Sequence, residues 1–326
     1  MYVHQDPDWP DLLGIVAKAA GQQVAMVEKD YWVTHTLWAL HQQGFEIWFK
    51  GGTSLSKGFG LIERFSEDID LRLGSGGVAG LVDPVLPWDD SNKKRRARGV
   101  QEREGWFDAL GSAIVIPDCT ARRNPVGSDE RMRSAWFEVL YPALHAGSLP
   151  PEMKDFVLLE VGEARVVPCV TRALSSWVHD YLVDRGQFDP FLDNRPREIR
   201  CVHPWVTCLE KLEAISRKFE KQKAAADFVR HYEDAARIIL LRQTLPATDL
   251  AAIVGMLADE DGKRMPGAEH AAFRPDSGER WREIEAAWTR IQRLYWGPRI
   301  TLMEASACLR AFLEEVAGLC VPFPAG

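Results

Sequence analysis

Asp68 and Asp70 are the side chains whose types and spacing most directly suggest chemistry. They lie in Glu67-Asp68-Ile69-Asp70-Leu71, where acidic and aliphatic residues alternate. On a strand the side-chain period is two, so both aspartates project from one face while Ile69 and Leu71 point to the other. Neighbouring carboxylates repel and are costly to desolvate unless a cation sits between them. A hard divalent cation, Mg²⁺ or Mn²⁺, would supply that charge, and its natural client on a protein is a polyphosphate. A candidate phosphate cradle stands just upstream: Gly51-Gly52 offers backbone N–H groups in a tight turn, followed by the hydroxyls of Thr53 and Ser54.

These groups need a strand, a turn, a short helix and a second strand to position them. The aromatic run Phe45-Glu-Ile-Trp-Phe49 reads as the first strand and the glycine pair as its break. Thr53 and Ser54 are N-cap types for a helical turn from Leu55 onward. GGTSLSKG is not a Walker A loop, because Ser56 precedes Lys57 and Gly58 follows it. Protein-kinase signatures are absent too, with no H-R-D or D-F-G in the chain.

A strand ending in Gly-Gly-Thr/Ser, a helix, and then an Asp-x-Asp strand resembles the nucleotidyltransferases of the DNA polymerase β superfamily. The finer form, FKGGTSLSK followed by RFSEDIDL, resembles the AbiEii/AbiGii toxin family within it. The likeness covers most of residues 20–240, with an unmatched insert at 75–130. It implies an α+β fold: a polymerase β-type domain over 1–194, with a small mixed sheet flanked by helices, then a helical-bundle domain over 195–326. It also implies transfer of an NMP from an NTP, with Lys50, Gly51, Gly52, Thr53, Ser54 and Lys57 binding the nucleotide. Such enzymes place a third carboxylate on a strand beside the Asp-x-Asp strand. Glu160 in VLLEVG matches that position, and a lone acid in an apolar strand is expensive without a partner. Glu160 would share the metal with Asp68 and Asp70 and help activate the acceptor hydroxyl, with Glu163 the next acid along. LEKLEA and a later R-x-x-x-D resemble the family's lysine and aspartate motifs. Lys211 would neutralise triphosphate charge, and Asp234 would hold that lysine or the nucleotide. The family further implies the toxin of a bacterial toxin–antitoxin or phage-abortive-infection system, with a separately encoded antitoxin and an RNA acceptor such as a tRNA end. Two alternatives share part of the pattern: a small-molecule nucleotidyltransferase of the antibiotic-modifying kind, and a degenerate nucleotide- or RNA-binding module.

The 326 residues, 46% hydrophobic and 27% charged, suit a globular protein of two domains. No apolar run approaches the ~20 residues that span a bilayer, and the acidic N-terminus has no signal-peptide core. Six cysteines without C-x-x-C pairs read as reduced thiols, so a cytoplasmic protein without a membrane partner is expected. Cys201-x-His203 is a weak metal-pair signal. A net charge of −7 argues against coating nucleic acid by bulk electrostatics. A local basic run, Lys93-Lys94-Arg95-Arg96 with Arg98 and Arg103, reads equally as a solvated helix face or a docking patch.

Coarser expectations follow from periodicity. Residues 9–43 read as two helices, with Glu28-Lys29-Asp30 a helix surface that packs beside the active-site sheet and Tyr31, Trp32 and Leu37 in the core. Ser91–Leu110 reads as a helix, Ala113–Ile116 as a strand, and 121–130 as a turn. Met132–Tyr141 and Asp155–Val167 read as an antiparallel strand pair. Helices follow at 205–218, 224–241, 247–257, 279–295 and 301–319, with Trp281, Trp288, Leu294 and Trp296 as packing residues.

Overall fold

The computed structural model describes every residue except 67, 87–91, 129, 151–152, 259–264 and 321–326. The chain divides into two compact units, Met1–Gly58 with Ser66–Cys201, and Phe59–Phe65 with Val202–Gly326.

In the first unit, helices α1 (Trp9–Ala20) and α2 (Val24–Gln42) precede strand β1 (Glu46–Lys50), which runs directly into the short helix α3 (Gly51–Lys57). Then come β2 (Asp68–Gly74), α4 (Lys93–Ala113), β3 (Thr120–Asn124), β4 (Ser134–Leu140), β5 (Val157–Gly162), β6 (Cys169–Arg172), α5 (Trp177–Asp184) and β7 (Ile199–Val202). The seven strands form one mixed sheet in the order β3-β4-β5-β2-β1-β7-β6. β2 is antiparallel to β1 and parallel to β5, and β4 and β5 form the expected antiparallel pair.

One face of this sheet is apolar and sealed. Ile47, Phe49, Ile69, Leu71, Phe137, Val139, Leu159 and Val161 all point to it and are buried. Full burial of each such side chain is worth about 1.5–3 kcal/mol, enough to fix the register, since a one-residue slip would turn the whole set to water. Helix α2 packs against β1 and β5 and is buried along most of its length.

The charged triplet on α2, read from the sequence as a helix surface packing beside the sheet, is buried: Glu28, Lys29 and Asp30 are 1%, 0% and 7% exposed. Each side chain satisfies a loop or neighbouring group. The Glu28 carboxylate accepts the Leu144 and His145 N–H groups at 2.7 and 2.9 Å. The Lys29 ammonium donates to the Lys154 carbonyl at 2.6 Å, and Asp30 pairs with Lys57 at 2.5 Å and accepts the Trp177 N–H. Burial pushes the Asp30 carboxyl upward against the opposing pull of Lys57.

Residues 113–116 are not a strand. The Gln43 side chain bonds both the Val115 N–H and its carbonyl, taking the place of a strand partner, while Ile114 and Ile116 bury their side chains. Residues 121–124, at the start of the stretch expected as a turn or mobile loop, belong to β3, which pairs with β4. Arg103, counted in the basic run, is fully buried and donates to the Met132 and Arg131 carbonyls; most of the remaining run is exposed on the first turns of α4.

The second unit is helical: α6 (Pro204–Glu220), α7 (Arg230–Leu240), α8 (Leu250–Ala258), α9 (Glu279–Arg290) and α10 (Leu302–Ala317). α7 packs on both α6 and α10. Trp205 stacks on Phe312 at 5.1 Å, and Trp281 lies against Tyr232 and Phe219. Trp296 is 38% exposed. His203 is not a metal ligand in this arrangement: Nδ1 caps α6 by accepting the Trp205 N–H, and Nε2 donates to the Pro246 carbonyl. Phe59–Phe65 belongs to this unit through backbone pairing: the Phe65 N–H donates to the Leu294 carbonyl and the Trp296 N–H to the Glu63 carbonyl.

Candidate active site

The half-exposed face of the sheet carries the residues singled out from the sequence, and strand register sorts them into rows. Lys50 on β1 lies opposite Asp70 on β2, Asp70 opposite Glu160 on β5, and Glu160 opposite Trp136 on β4. One pleat toward the start of β2, Asp68 lies opposite Leu158, which faces Glu138. One pleat the other way, Trp48 lies between Arg72 on β2 and Arg200 on β7. Neighbouring strands are about 4.8 Å apart and successive same-face residues about 6.6 Å apart. At an effective dielectric near 20, carboxylates at those separations repel by roughly 2.5–3.5 kcal/mol, a penalty a cation would reverse.

Gly51 explains how the turn and the acid strand come together. It has φ +76°, in the left-handed region that disfavours a side chain, and a Cβ there would stand 1.7 Å from Oδ2 of Asp70. The Asp70 carboxylate therefore occupies the space that any other residue at 51 would fill. Thr53 completes the joint: its hydroxyl is 2.6 Å from the Asp68 carbonyl and 2.9 Å from the Ser66 carbonyl, pinning the start of β2 to α3.

These contacts correct part of the sequence reading. The hydroxyls of Thr53 and Ser54 were expected at phosphate oxygens, but both residues are buried, Thr53 bonded to strand carbonyls and Ser54 beside the Cys201 thiol. Lys57 is also redirected. Its ammonium pairs with Asp30 and donates to the Thr34 hydroxyl at 3.0 Å and the Ser175 carbonyl at 2.9 Å, so it ties α3 to α2. Only Lys50, Gly51 and Gly52 of the expected nucleotide-binding set retain that reading.

Among the described residues, no three His, Cys, Asp or Glu side chains are drawn together as a metal ligand set. Asp68, Asp70 and Glu160 share a face and adjacent strands without closing on one point. Their chemistry still fits a hard cation: the donors are all carboxylate oxygens, and the missing Cβ at Gly51 leaves the Asp70 carboxylate room.

Lys211 and Asp234 lie in the second unit, where a residue unforeseen from the sequence joins them. Arg64 holds both Asp234 oxygens, with Nε at 2.8 Å and an Nη at 2.7 Å, and the Lys211 ammonium adds a further bond at 2.8 Å. Arg64 and Asp234 are buried and Lys211 nearly so. Burial raises the Asp234 carboxyl, but the charges of Arg64 and Lys211 outweigh it and hold the group well below the carboxylate range. Burial lowers the Lys211 ammonium, with Asp234 opposing the shift. The signal for Arg64 was present in RFSEDIDL, where a charged residue sits next to Phe65 in a segment otherwise read only for its acids.

An α+β chain with a glycine turn set against an Asp-x-Asp strand follows the plan of a nucleotidyltransferase. The family model for the nucleotidyltransferase AbiEii toxin of type IV toxin–antitoxin systems matches residues 37–297, reaching further toward the C-terminus than the sequence motifs did. The chain belongs to this family and is a nucleotidyltransferase toxin, which implies an NTP substrate and an antitoxin partner. Among solved structures it is similar to MenT4, a nucleotidyltransferase toxin of Mycobacterium tuberculosis. That match has 16% identity and a TM-score of 0.38 over 94% of this chain and 97% of the other. No curated relative matches the sequence significantly. No helix among the described residues is long and apolar enough to cross a membrane.

Proposed function

We propose that this toxin transfers an NMP from an NTP to a hydroxyl of an RNA acceptor in a metal-dependent reaction, and that the two units are the catalytic and helical domains. The observation that carries the reading is the register Lys50–Asp70–Glu160, with Gly51 making space for the Asp70 carboxylate. A divalent cation held by Asp68 and Asp70, with Glu160 beside it, would neutralise charge on the triphosphate. The backbone amides of the Gly51–Gly52 turn and the Lys50 ammonium would orient the β- and γ-phosphates. Glu160 would accept the proton of the attacking hydroxyl as the new P–O bond forms and pyrophosphate departs. Catalysis of this kind is mainly positioning and electrostatics, so the rigid register matters more than any single strong bond. Within the helical unit, Asp234 would hold the Lys211 ammonium in place.

The test is to incubate purified protein with each α-labelled NTP, Mg²⁺ and total cellular RNA. Label is expected in RNA with wild type and not with a folded Asp70→Ala variant. Equal labelling by that variant would refute the site.

A further inference from the structure

The row beyond the acids holds side chains that the chemistry above does not use. The Arg72 guanidinium lies 5.0 Å from the centroid of the Trp48 ring, and that of Arg200, from the strand on the other side, lies 4.8 Å from it. Arg72 is half-buried, yet among the described residues it makes no hydrogen bond or ion pair, so its N–H donors are unspent. Arg200 has one weak partner, the exposed Glu46 carboxylate at 3.4 Å. An arginine stacked on an aromatic ring keeps its donor fork in a fixed plane, which lowers the entropy lost when it grips an oxyanion. A half-buried guanidinium with idle donors is costly unless it meets an anion.

Position along the sheet says which anion. Strand β1 runs from Trp48 through Lys50 into the Gly51 turn, and β2 runs from Asp68 through Asp70 to Arg72. The arginine row is therefore on the far side of the Asp70–Glu160 row from the glycine turn, about 6.6 Å along the strands. With the triphosphate on the turn side, the attacking hydroxyl has to approach from the opposite side for in-line displacement.

We infer that Arg72 and Arg200, held on Trp48, are a phosphate clamp for the backbone of a single-stranded RNA acceptor, placing its terminal hydroxyl at the acids. The inference rests on the proposed transfer to RNA for its orientation. The clamp is sequence-independent, since guanidinium–phosphate pairs position the strand and carry no base readout.

The test uses a short fluorescein-labelled single-stranded RNA, its binding to the full chain read by anisotropy across a salt series, alongside steady-state transfer. Arg72→Ala and Arg200→Ala are expected to weaken RNA binding about tenfold each and to lower the salt slope by about 0.7 for each phosphate left unneutralised. Both should raise the KM for RNA and leave the KM for NTP unchanged. Trp48→Ala should reproduce the weakening without removing a charge, and Trp48→Phe should restore binding, which a mere folding defect would not show. Unchanged RNA affinity in both arginine variants overturns the clamp, as does a rise in the NTP KM alone, which would assign the pair to the triphosphate. Label found on protein, with RNA affinity unaffected, also overturns it. If wild type labels no RNA but the variants still weaken RNA binding, the clamp stands and the proposed reaction falls.

Discussion

Replacing Gly51 with alanine separates the geometry of the site from the stability of the fold. Gly51 has φ +76°, and an alanine forced into that region costs about 1–2 kcal/mol. The added Cβ would also stand 1.7 Å from Asp70 Oδ2 and 2.7 Å from its Cγ. Non-bonded carbon and oxygen settle near 3.5 Å, so the carboxylate has to retreat by roughly 1.5–2 Å. Misplacing a catalytic group by about 1 Å costs on the order of a hundredfold, so kcat/KM should fall at least that far, about 2.7 kcal/mol of transition-state stabilisation. Gly21→Ala is the control. It carries the same strain at φ +63° with no heavy atom within 4 Å of the new Cβ, so it should lose similar stability and keep full activity. Urea unfolding and labelled-NTP transfer measure the two effects. A folded Gly51→Ala enzyme within about threefold of wild-type kcat/KM would refute the reasoning.

Two further outcomes follow from the buried charges. Asp234→Asn strips the carboxylate from Arg64 and Lys211, leaving two buried cations, so unfolding free energy should drop by about 3–5 kcal/mol; a loss under about 1 kcal/mol would show the cluster to be solvated. His35 and His179 sit in a buried network with Asn194 and Tyr31, and burial lowers both imidazoles to about 4. Their folded values lie below the unfolded value near 6.5, so between about pH 6.5 and 4 the unfolded chain binds more protons and stability falls as pH falls. From pH 7.5 to 5 each should subtract about 2 kcal/mol in urea titrations, and a flat profile over that window would contradict their burial as neutral groups.

The acid strand was legible because period-two alternation and a glycine break are local signals, and Asp68, Asp70 and Gly51 needed nothing distant to be recognised. The same alternation in DIDLRL places Arg72 on the acid face, but a lone arginine there belongs to no motif, and its ring partner Trp48 comes from another strand. That Glu28, Lys29 and Asp30 pack beside the sheet was legible, but their partners, the 144–145 amides, the Lys154 carbonyl and Lys57, were not, because they lie far from α2 in the sequence. Thr53 looked like a phosphate ligand for a similar reason: its hydroxyl is claimed by strand carbonyls whose approach only the folded chain reveals. Strand β7 was hidden in a segment read as a change of composition, although Arg200 and Cys201 pair beside Trp48 and Phe49.

The most direct measurement is anomalous diffraction from crystals grown with Mn²⁺ and a non-hydrolysable NTP analogue. The account predicts a manganese peak bound by the Asp68 and Asp70 carboxylates, with Glu160 beside it and the triphosphate on the Gly51–Gly52 turn. A peak away from those carboxylates, or a triphosphate bound elsewhere with the turn bare, would contradict it.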